Sequence, residues 1–431
     1  MKDLKLADLL KKELERQRKG IELIPSENYV SSDVLEALGS IYTNKYSEGY
    51  PGKRYYGGQE FTDQAEHIAI DRAKQLFGAD HANVQPHSGA PANIAVYQAW
   101  LKPGDTVMAM ALDEGGHLTH GHPVTGSAQI YNFIRYGIKD AATGEIDYEK
   151  MIADAAKFKP KIILAGFSGY PRDLDYAKFR QAADAAGPDC LLMADMAHIA
   201  GLIAGGVKLN PFDFGFNVIT STTHKTLRGP RGGLILSKGK VGNPLKAPEH
   251  TIENIPTLID RAIFPGMQGG PHMNNTLAKA VAFGEALEPG FKLYAQNILD
   301  NAKALSSALI DEGFTLVTGG TSNHLIQIDM MTSFGVDGRK AQDVLDSIHL
   351  TGNCNSIPKD KLPAFRPSGF RIGTPAITTR GMNQEDMKKI AIWIAAGIKS
   401  RDDKDQLENI RQDVEAFCLQ FPLPSDKISQ S

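Results

Sequence analysis

The sequence predicts an α/β fold with a large, mostly parallel sheet and a smaller α/β unit after it. Between residues 65 and 221, helical patterns alternate with short apolar runs, which is typical of βαβ units. The chain has 42 glycines in 431 residues, mildly above the background of about 7%, as an enzyme with many tight strand-to-helix turns needs. Apolar residues make up 42% of the chain, which supplies an ordinary core and excludes a mainly disordered protein.

The individual elements follow from periodicity, in chain order. Residues 1–20 carry apolar side chains at helical spacing among charges and predict an amphipathic helix that packs on another part of the molecule. The alternating segments of the large unit are Ala65–Phe77, Asp105–Leu112, Tyr148–Phe158, Lys161–Gly166, Phe179–Ala186, Leu191–Ala194 and Asn217–Ser221. Proline and glycine interrupt this pattern at Gly229–Gly233 and Asn254–Gly270, before a helix from Met273 to about Leu287. The smaller unit mixes helices and short strands at Asn301–Glu312, Leu316–Val317, His324–Asp329, Arg339–Ile348 and Glu385–Lys399.

These patterns divide the chain into three parts, in keeping with a length that suits two or three compact units. They are an N-terminal helical arm (residues 1–25), a large domain (residues 26–280) and a small C-terminal α/β domain (residues 281–431). Residues 425–431 are expected to be frayed.

Charge and cysteine content exclude several classes of protein. The net charge of −3 gives no basic field for nucleic acid or an anionic membrane. Three scattered cysteines form neither a disulfide framework nor a metal cluster. The N-terminus lacks the apolar core of a signal peptide, and the longest apolar stretch, Leu191–Val207, contains Asp195 and His198. We therefore expect a cytoplasmic protein that binds no nucleic acid, membrane or metal.

Lys225 is the most informative residue, because it directly follows a β-branched strand and precedes a loop rich in glycine and proline. Desolvation and neighbouring cations at the mouth of a sheet lower the pKa of a lysine and make it a Schiff-base nucleophile. Thirty residues earlier, Asp195 ends another apolar run, where a carboxylate needs a cationic partner. Pyridoxal 5′-phosphate (PLP) requires this pair, since the lysine holds the aldehyde and the acid keeps the pyridine ring protonated.

A third segment predicts a phosphate site, because Ser88 and Gly89 precede a helix whose free N–H groups can hold an anion. Each residue also has an ordinary alternative when it is taken alone. Lys225 suits a solvated loop, and Ser88-Gly89 suits a plain turn.

Five long motifs closely resemble serine hydroxymethyltransferase, in order and over almost the whole chain. They are Asn44–Gly58, Gly115–Gly121, Asp195–Leu202, Thr222–Gly233 and Ser368–Thr378. The resemblance implies a PLP-dependent transferase of fold type I, with a seven-stranded sheet in the large domain. It also implies an obligate homodimer whose active sites take residues from both subunits.

The resemblance implies a role for each matching residue. The catalytic set is Lys225, Glu48, Tyr56, His117, Asp195 and Thr222, with Lys225 as the Schiff-base lysine and Glu48 as the proton shuttle. The cofactor set is Ser88, Gly89, His117, Ser168, Asp195, His198, His224, Lys225 and, from the neighbouring chain, Tyr46 and Gly270. The substrate set is Ser26, Glu48, Tyr56 and Arg371, where Arg371 forks onto the substrate carboxylate. The folate set is Leu112, Gly115, Gly116, Leu118, Phe264 and Asn355. Taken one at a time, these residues also have ordinary alternatives. Tyr56 could be an aromatic residue of the core, Glu48 a solvated acid, His117 a structural histidine and Arg371 a partner in a surface ion pair.

The sequence departs from the family pattern at three places, the first beside the phosphate site and the other two at the entrance expected for tetrahydrofolate, the co-substrate. Ala90-Pro91 replaces Ser-Gln beside the phosphate site, Asp113-Glu114 replaces Ala-His or Ser-His, and Cys354 replaces a lysine. Two added negative charges and one lost positive charge disfavour the anionic glutamyl tail of folate, although salt screens the effect.

Three functions follow. The first is interconversion of serine and glycine with tetrahydrofolate. The second is a folate-independent or weakly folate-dependent aldolase or hydroxymethyltransferase acting on a β-hydroxy amino acid, such as α-methylserine. The third is a non-catalytic scaffold or RNA binder, which the presence of Lys225, Asp195 and Arg371 together disfavours.

Overall fold

A computed structural model describes residues 2–426 of the chain, so most of the segment expected to be frayed lies outside the described residues. The α-helices are α1 (Leu4–Lys19), α2 (Ser32–Leu38), α3 (Glu60–Phe77), α4 (Gly89–Trp100), α5 (Gly126–Ile130), α6 (Tyr148–Phe158), α7 (Tyr176–Ala186), α8 (Ala200–Ala204), α9 (Ile255–Arg261), α10 (Met273–Leu287), α11 (Gly290–Asp311), α12 (Met330–Phe334), α13 (Gly338–Ser347), α14 (Pro375–Thr379), α15 (Gln384–Lys399) and α16 (Lys404–Cys418). The strands are β1 (Ile21–Glu22), β2 (Gly49–Tyr50), β3 (Lys53–Arg54), β4 (His81–Asn83), β5 (Thr106–Met110), β6 (Asn132–Tyr136), β7 (Ile138–Asp140), β8 (Glu145–Ile146), β9 (Ile162–Gly166), β10 (Leu191–Asp195), β11 (Val218–Thr222), β12 (Gly233–Ser237), β13 (Thr315–Leu316), β14 (Leu325–Asp329), β15 (Leu350–Thr351), β16 (Asn353–Asn355) and β17 (Gly369–Gly373).

The central sheet has seven strands in the order β4-β12-β11-β10-β9-β5-β6. All neighbours pair in parallel except β12, which runs antiparallel to both β11 and β4. The register sets Asp195 opposite Gly166 on one side and opposite Thr220 on the other. The predicted fold class, with its large and mostly parallel sheet, is confirmed.

Helices cover both faces of this sheet, which explains why the strands β5, β9, β10 and β12 are largely apolar rather than alternating. Successive residues of a strand point to opposite faces, and in β10 Leu192 and Ala194 join one buried cluster while Leu191 and Met193 join the other. The helices begin where the sequence supplies caps, since the Asp147 carboxylate accepts from the Lys150 N–H at the start of α6. The alternation of side chains along the strands and the caps of the helices therefore together explain why helices pack on both faces of the sheet.

A second sheet, of four antiparallel strands in the order β13-β14-β17-β16, forms its own buried cluster with α13, α15 and α16. The N-terminal segment belongs to this unit, because β1 pairs with β15 and the Leu23 carbonyl accepts from the Gly373 N–H at 2.6 Å. The domain boundaries at 25/26 and 280/281 remain predictions.

Three local features differ from the sequence expectation. Helix α11 begins at Gly290, eleven residues before the predicted segment, because polar residues on its outer face hide the period. The segment Asn254–Gly270 holds a short helix, α9, in which Pro256 occupies the first turn, where its missing N–H costs nothing. Helix α1 buries none of its residues, and Leu4, Leu9 and Leu10 are exposed. Among residues 2–426, no helix combines the length and apolarity that crossing a bilayer requires.

Candidate active site

The carboxyl ends of β5, β9, β10 and β11 meet at one edge of the central sheet, where parallel α/β folds usually place their sites. A cavity opens there in two adjoining parts, an inner one of about 280 Å³ and an outer one of about 680 Å³. The inner part is lined by Ser26, Ser88, Gly89, Asp195, His198, Thr222, His224 and Lys225, among others. The outer part is lined by Leu112, Gly115, Gly116, Leu118, Asn355 and Arg371, among others, and His117 and Ser168 line both.

Lys225 lies in the inner part, three residues after β11 ends, and is 8% exposed. Burial lowers the pKa of its ammonium to about 8, the Asp195 carboxylate opposes this, and the Arg371 and Arg231 cations lower the pKa further. A large share of the neutral, nucleophilic amine is therefore present at slightly alkaline pH.

Asp195 is held in its ionised form. Burial alone raises the pKa of its carboxyl, but hydrogen bonds from His120 and Asn93 and the nearby His117 ring hold the pKa well below its usual range. The Oδ2 atom lies 2.8 Å from Asn93 Nδ2 and 3.1 Å from His120 Nε2. Because the His117 N–H donates to His120 Nδ1, a neutral His120 carries its proton on Nε2 and donates it to Asp195.

Two of these Asp195 partners, His120 and Asn93, were not among the predicted site residues. A usable signal existed for each. His120 lies one helical turn after His117 in the same motif, and Asn93 lies four residues after Gly89, on the same face of α4.

His117 is neutral, because burial lowers the pKa of its ring to about 4 against the pull of Asp195. Its Nδ1 accepts from the Thr119 N–H at 3.2 Å, so its proton is on Nε2. The residue caps the short turn that carries Leu118 and Thr119.

His198, Ser168 and His324 form a buried chain of hydrogen bonds. His198 Nε2 lies 3.4 Å from Ser168 Oγ, and His198 Nδ1 lies 3.2 Å from His324 Nε2. Burial is the main cause that lowers the pKa of both imidazoles, so both rings are neutral. His324 was missed in the sequence because it lies in the small unit, 126 residues away.

Ser88 and Gly89 begin helix α4, and the Ser88 side chain makes no capping bond to that helix. A Cβ at position 89 would lie 2.7 Å from Thr222 Cγ2, so glycine is required for this close approach. His224 Nδ1 is buried without a hydrogen-bond partner among the described residues, and Arg231 lines the same space. Free helix N–H groups, a free hydroxyl, an unpartnered imidazole nitrogen and a guanidinium make an anion cup.

Arg371 comes from the middle of β17 and enters the outer part of the cavity. Its Nη1 donates to the Ser168 carbonyl at 2.5 Å and its Nε donates to Asn353 Oδ1 at 3.1 Å. Burial lowers the pKa of the guanidinium to about 10, still far above neutrality. The side chain is thus a fixed cation on the wall opposite the cup.

Five predicted site residues lie apart from this cavity in the described chain. Tyr46 contacts Glu48 through a hydrogen bond of 3.2 Å, stacks edge-on against Tyr56 at 5.0 Å, and covers Gly270. Phe264 is buried and packs against Tyr55 with ring centroids 5.5 Å apart. We call Tyr46, Glu48, Tyr56 and Gly270 the tyrosine cluster.

The two carboxylates expected at the outer entrance diverge. Asp113 lines the outer part of the cavity, as does Cys354. The Glu114 carboxylate instead turns back into a neighbouring cleft, where it sits against Gly137 and accepts from the Ile138 N–H at 2.7 Å. Arg135 adds a cation to the outer cavity wall that the sequence did not reveal.

A family profile described as serine hydroxymethyltransferase matches residues 1–394. The chain belongs to the serine hydroxymethyltransferase family. The profile match confirms the predicted family. The family consists of PLP-dependent enzymes of fold type I that transfer a hydroxymethyl group, generally with tetrahydrofolate. The cavity fits PLP, because a lysine with a lowered pKa, an ionised carboxylate and an anion cup face one space of suitable size.

Proposed function

We propose that this chain interconverts serine and glycine, with PLP as cofactor and tetrahydrofolate as acceptor of the one-carbon unit. The observation that carries the proposal is that Lys225, Asp195 and the anion cup line one cavity, with Arg371 at its outer wall. The ring of bound PLP withdraws the electrons of a bond at the substrate Cα. The remaining steps are carried out by the side chains of this chain.

Lys225 supplies the amine that holds the cofactor aldehyde, and the ionised Asp195 holds a positive charge at the ring nitrogen. Ser88, Gly89, His224 and Arg231 hold the phosphate, and the neutral His117 stacks on the ring. Together these residues would hold the cofactor in the inner part of the cavity, where Asp195 would face its ring nitrogen.

Arg371, with Ser26 beside it, forks onto the substrate carboxylate and orients the molecule. This orientation would decide which bond at Cα is cleaved. For serine that bond is Cα–Cβ, and its cleavage yields glycine and a one-carbon unit at the oxidation level of formaldehyde.

Glu48 and Tyr56 act on the substrate hydroxyl, with Glu48 moving its proton as general base or acid. In this chain they belong to the exposed tyrosine cluster, so we propose that a second copy supplies them. Tyr46 and Gly270 of that copy complete the phosphate site. Members of the family are typically oligomeric, and a homodimer with shared sites follows from this arrangement.

The residues Leu112, Gly115, Gly116, Leu118 and Asn355 form the wall proposed for tetrahydrofolate, together with Phe264 of a second copy. Arg135 offsets the charge of Asp113 on this wall, which favours folate use. We propose that the enzyme acts in the cytoplasm, because its three scattered cysteines suit a reducing compartment.

A second candidate is a folate-independent aldolase for an α-substituted serine such as α-methylserine. Asp113 and Cys354 in the outer cavity favour it, because a glutamyl tail meets a negative charge there and finds no lysine.

The test uses the purified protein loaded with PLP and mixed with glycine. A long-wavelength absorption band that rises sharply on addition of tetrahydrofolate supports the first candidate. A band indifferent to folate, with release of formaldehyde from α-methylserine faster than folate-linked transfer from serine, supports the second. A protein that takes up no PLP would overturn both.

A further inference from the structure

Lys279, in the middle of α10, is a buried lysine outside the cavity. It is 2% exposed, and its Nζ donates to three main-chain carbonyls, those of Val84 at 2.7 Å, Gly233 at 2.8 Å and Pro86 at 3.1 Å. These three acceptors use all three protons of an ammonium group. The side chain is therefore fully engaged, although none of its three acceptors lines the cavity.

The three carbonyls belong to the two segments that frame the anion cup. Val84 and Pro86 lie in the loop between β4 and the cup residue Ser88. Gly233 begins β12, where its N–H donates to the Pro86 carbonyl at 3.0 Å and its register partner is Thr222, three residues before Lys225. One ammonium group thus ties the cup to the strand pair that carries the reactive lysine.

Packing around Lys279 is close. A Cβ at position 232 would collide with its Cε, and a Cβ at position 233 would collide with the Ser88 carbonyl. The two glycines let the loop and the strand approach the ammonium. A shift of Lys279 must therefore move one of these segments.

The charge at this place is costly. Burial lowers the pKa of the Lys279 ammonium to about 7, and the attraction of Glu66 opposes this only in part. The Glu66 carboxylate itself accepts hydrogen bonds from Arg54 and Gln85. A methionine would fill the same volume without the penalty, so packing alone does not explain a lysine here.

We propose that Lys279 is a positioning residue for the cofactor phosphate. Through its three hydrogen bonds to main-chain carbonyls it fastens the Ser88 loop to β12, and so to the strand that precedes Lys225. The inference rests on the proposed function, because it concerns the phosphate of the PLP placed there.

The test compares Lys279→Met and Lys279→Gln with Phe283→Leu, a control that thins the buried cluster on the same helix without touching the cup. Each apoprotein is titrated with PLP, with pyridoxal that lacks the phosphate, and with inorganic phosphate. We expect Lys279→Met to weaken the binding of PLP by about tenfold to a hundredfold. This is the range seen in metal sites when a residue that hydrogen-bonds to a metal ligand is removed. The affinity for pyridoxal should fall far less. The affinity of Lys279→Gln for PLP should lie between those of the wild-type protein and Lys279→Met.

A structural role alone predicts a different result. The melting temperatures of the apoproteins would then fall for Lys279→Met and Phe283→Leu alike, while the ratio of PLP to pyridoxal affinity would stay at the wild-type value in both. That outcome overturns the proposal. Failure of the wild-type protein to bind PLP instead overturns the proposed function.

If Lys279→Met does not fold, Gly232→Ala replaces it, because the added methyl group displaces the Lys279 side chain without removing it. A loss confined to PLP and inorganic phosphate supports the inference. Unchanged phosphate discrimination overturns it.

Discussion

The cavity and the tyrosine cluster differ in how complete they are. Around Asp195, the polar groups are buried and hydrogen-bonded, as the bonds from His120 and Asn93 to its carboxylate show. In the tyrosine cluster, Tyr46 and Tyr56 are 54% and 49% exposed, and the Glu48 carboxylate accepts from the Tyr46 hydroxyl of the same cluster. One chain thus brings Lys225, Asp195 and the anion cup into one cavity by itself, whereas the residues proposed for the substrate hydroxyl and for completing the phosphate site lie outside that cavity.

The largest effect is expected at Lys225. Lys225→Ala removes the amine that holds the cofactor, so turnover of serine should fall by about a thousandfold or more, as removal of a nucleophile does in other enzymes. The measurement is the rate of glycine formation at saturating serine. Retention of turnover within tenfold of wild type would contradict the assignment.

Mixing two inactive variants tests whether the two halves come from different chains. Lys225→Ala and Glu48→Gln, unfolded and refolded together, should regain about a quarter of wild-type activity, because half of the dimers are mixed and each of these has one intact site. The control mixes Lys225→Ala with Asp195→Asn, whose lesions lie in the same half and should yield no recovery. Equal activity in both mixtures would show that the halves are not exchanged.

Asp195→Asn should lower turnover by about a hundredfold, since it removes a fixed negative charge from the site. Its amide still reaches His120 and Asn93, so the fold should persist. Circular dichroism checks the fold, and steady-state kinetics gives the loss. A normal rate would remove Asp195 from the catalytic set.

The pKa of Lys225 predicts a pH dependence. Because the pKa is lowered to about 8, the neutral amine is the minor form below that pH and the major form above it. The rate of covalent uptake of PLP by the apoprotein should therefore rise with pH up to about 8 and level off above it. A solvated lysine would continue to gain about tenfold per pH unit up to about 10.

The smallest effect concerns the outer cavity. Asp113→Asn should tighten the binding of tetrahydrofolate about two- to fivefold at low salt and less at high salt. The substitution removes a negative charge from the entrance, and salt screens the effect of that charge. Glu114→Gln is the matched control, since its carboxylate faces the Ile138 N–H rather than this cavity. Equal changes in both variants would contradict the distinction.

The sequence predicts elements well where one face is buried and caps are local. Tyr148–Phe158 and Met273–Leu287 have the predicted bounds, and the strands that end at Gly166 and Asp195 are within one residue. Local patterns do not reveal partners that only the fold brings together. His324 reaches His198 from another unit, and Arg135 faces the cavity from β6.

The direction of a side chain is equally hidden in sequence. Asp113 and Glu114 are adjacent carboxylates, yet the short turn that holds them sends one toward the cavity and the other toward Gly137. Such a split depends on a glycine 23 positions away that leaves room for the carboxylate. Charge counting along the chain therefore overestimated the negative charge at the entrance.

The bond between the Leu23 carbonyl and the Gly373 N–H has a practical consequence for anyone who modifies the chain. Ser26 lies three residues after Leu23, and Arg371 lies two residues before Gly373. The two groups proposed to bind the substrate carboxylate are therefore both positioned by this one hydrogen bond. A fusion partner or surface tether that strains the first twenty residues will loosen the grip on amino acids while leaving the cofactor in place.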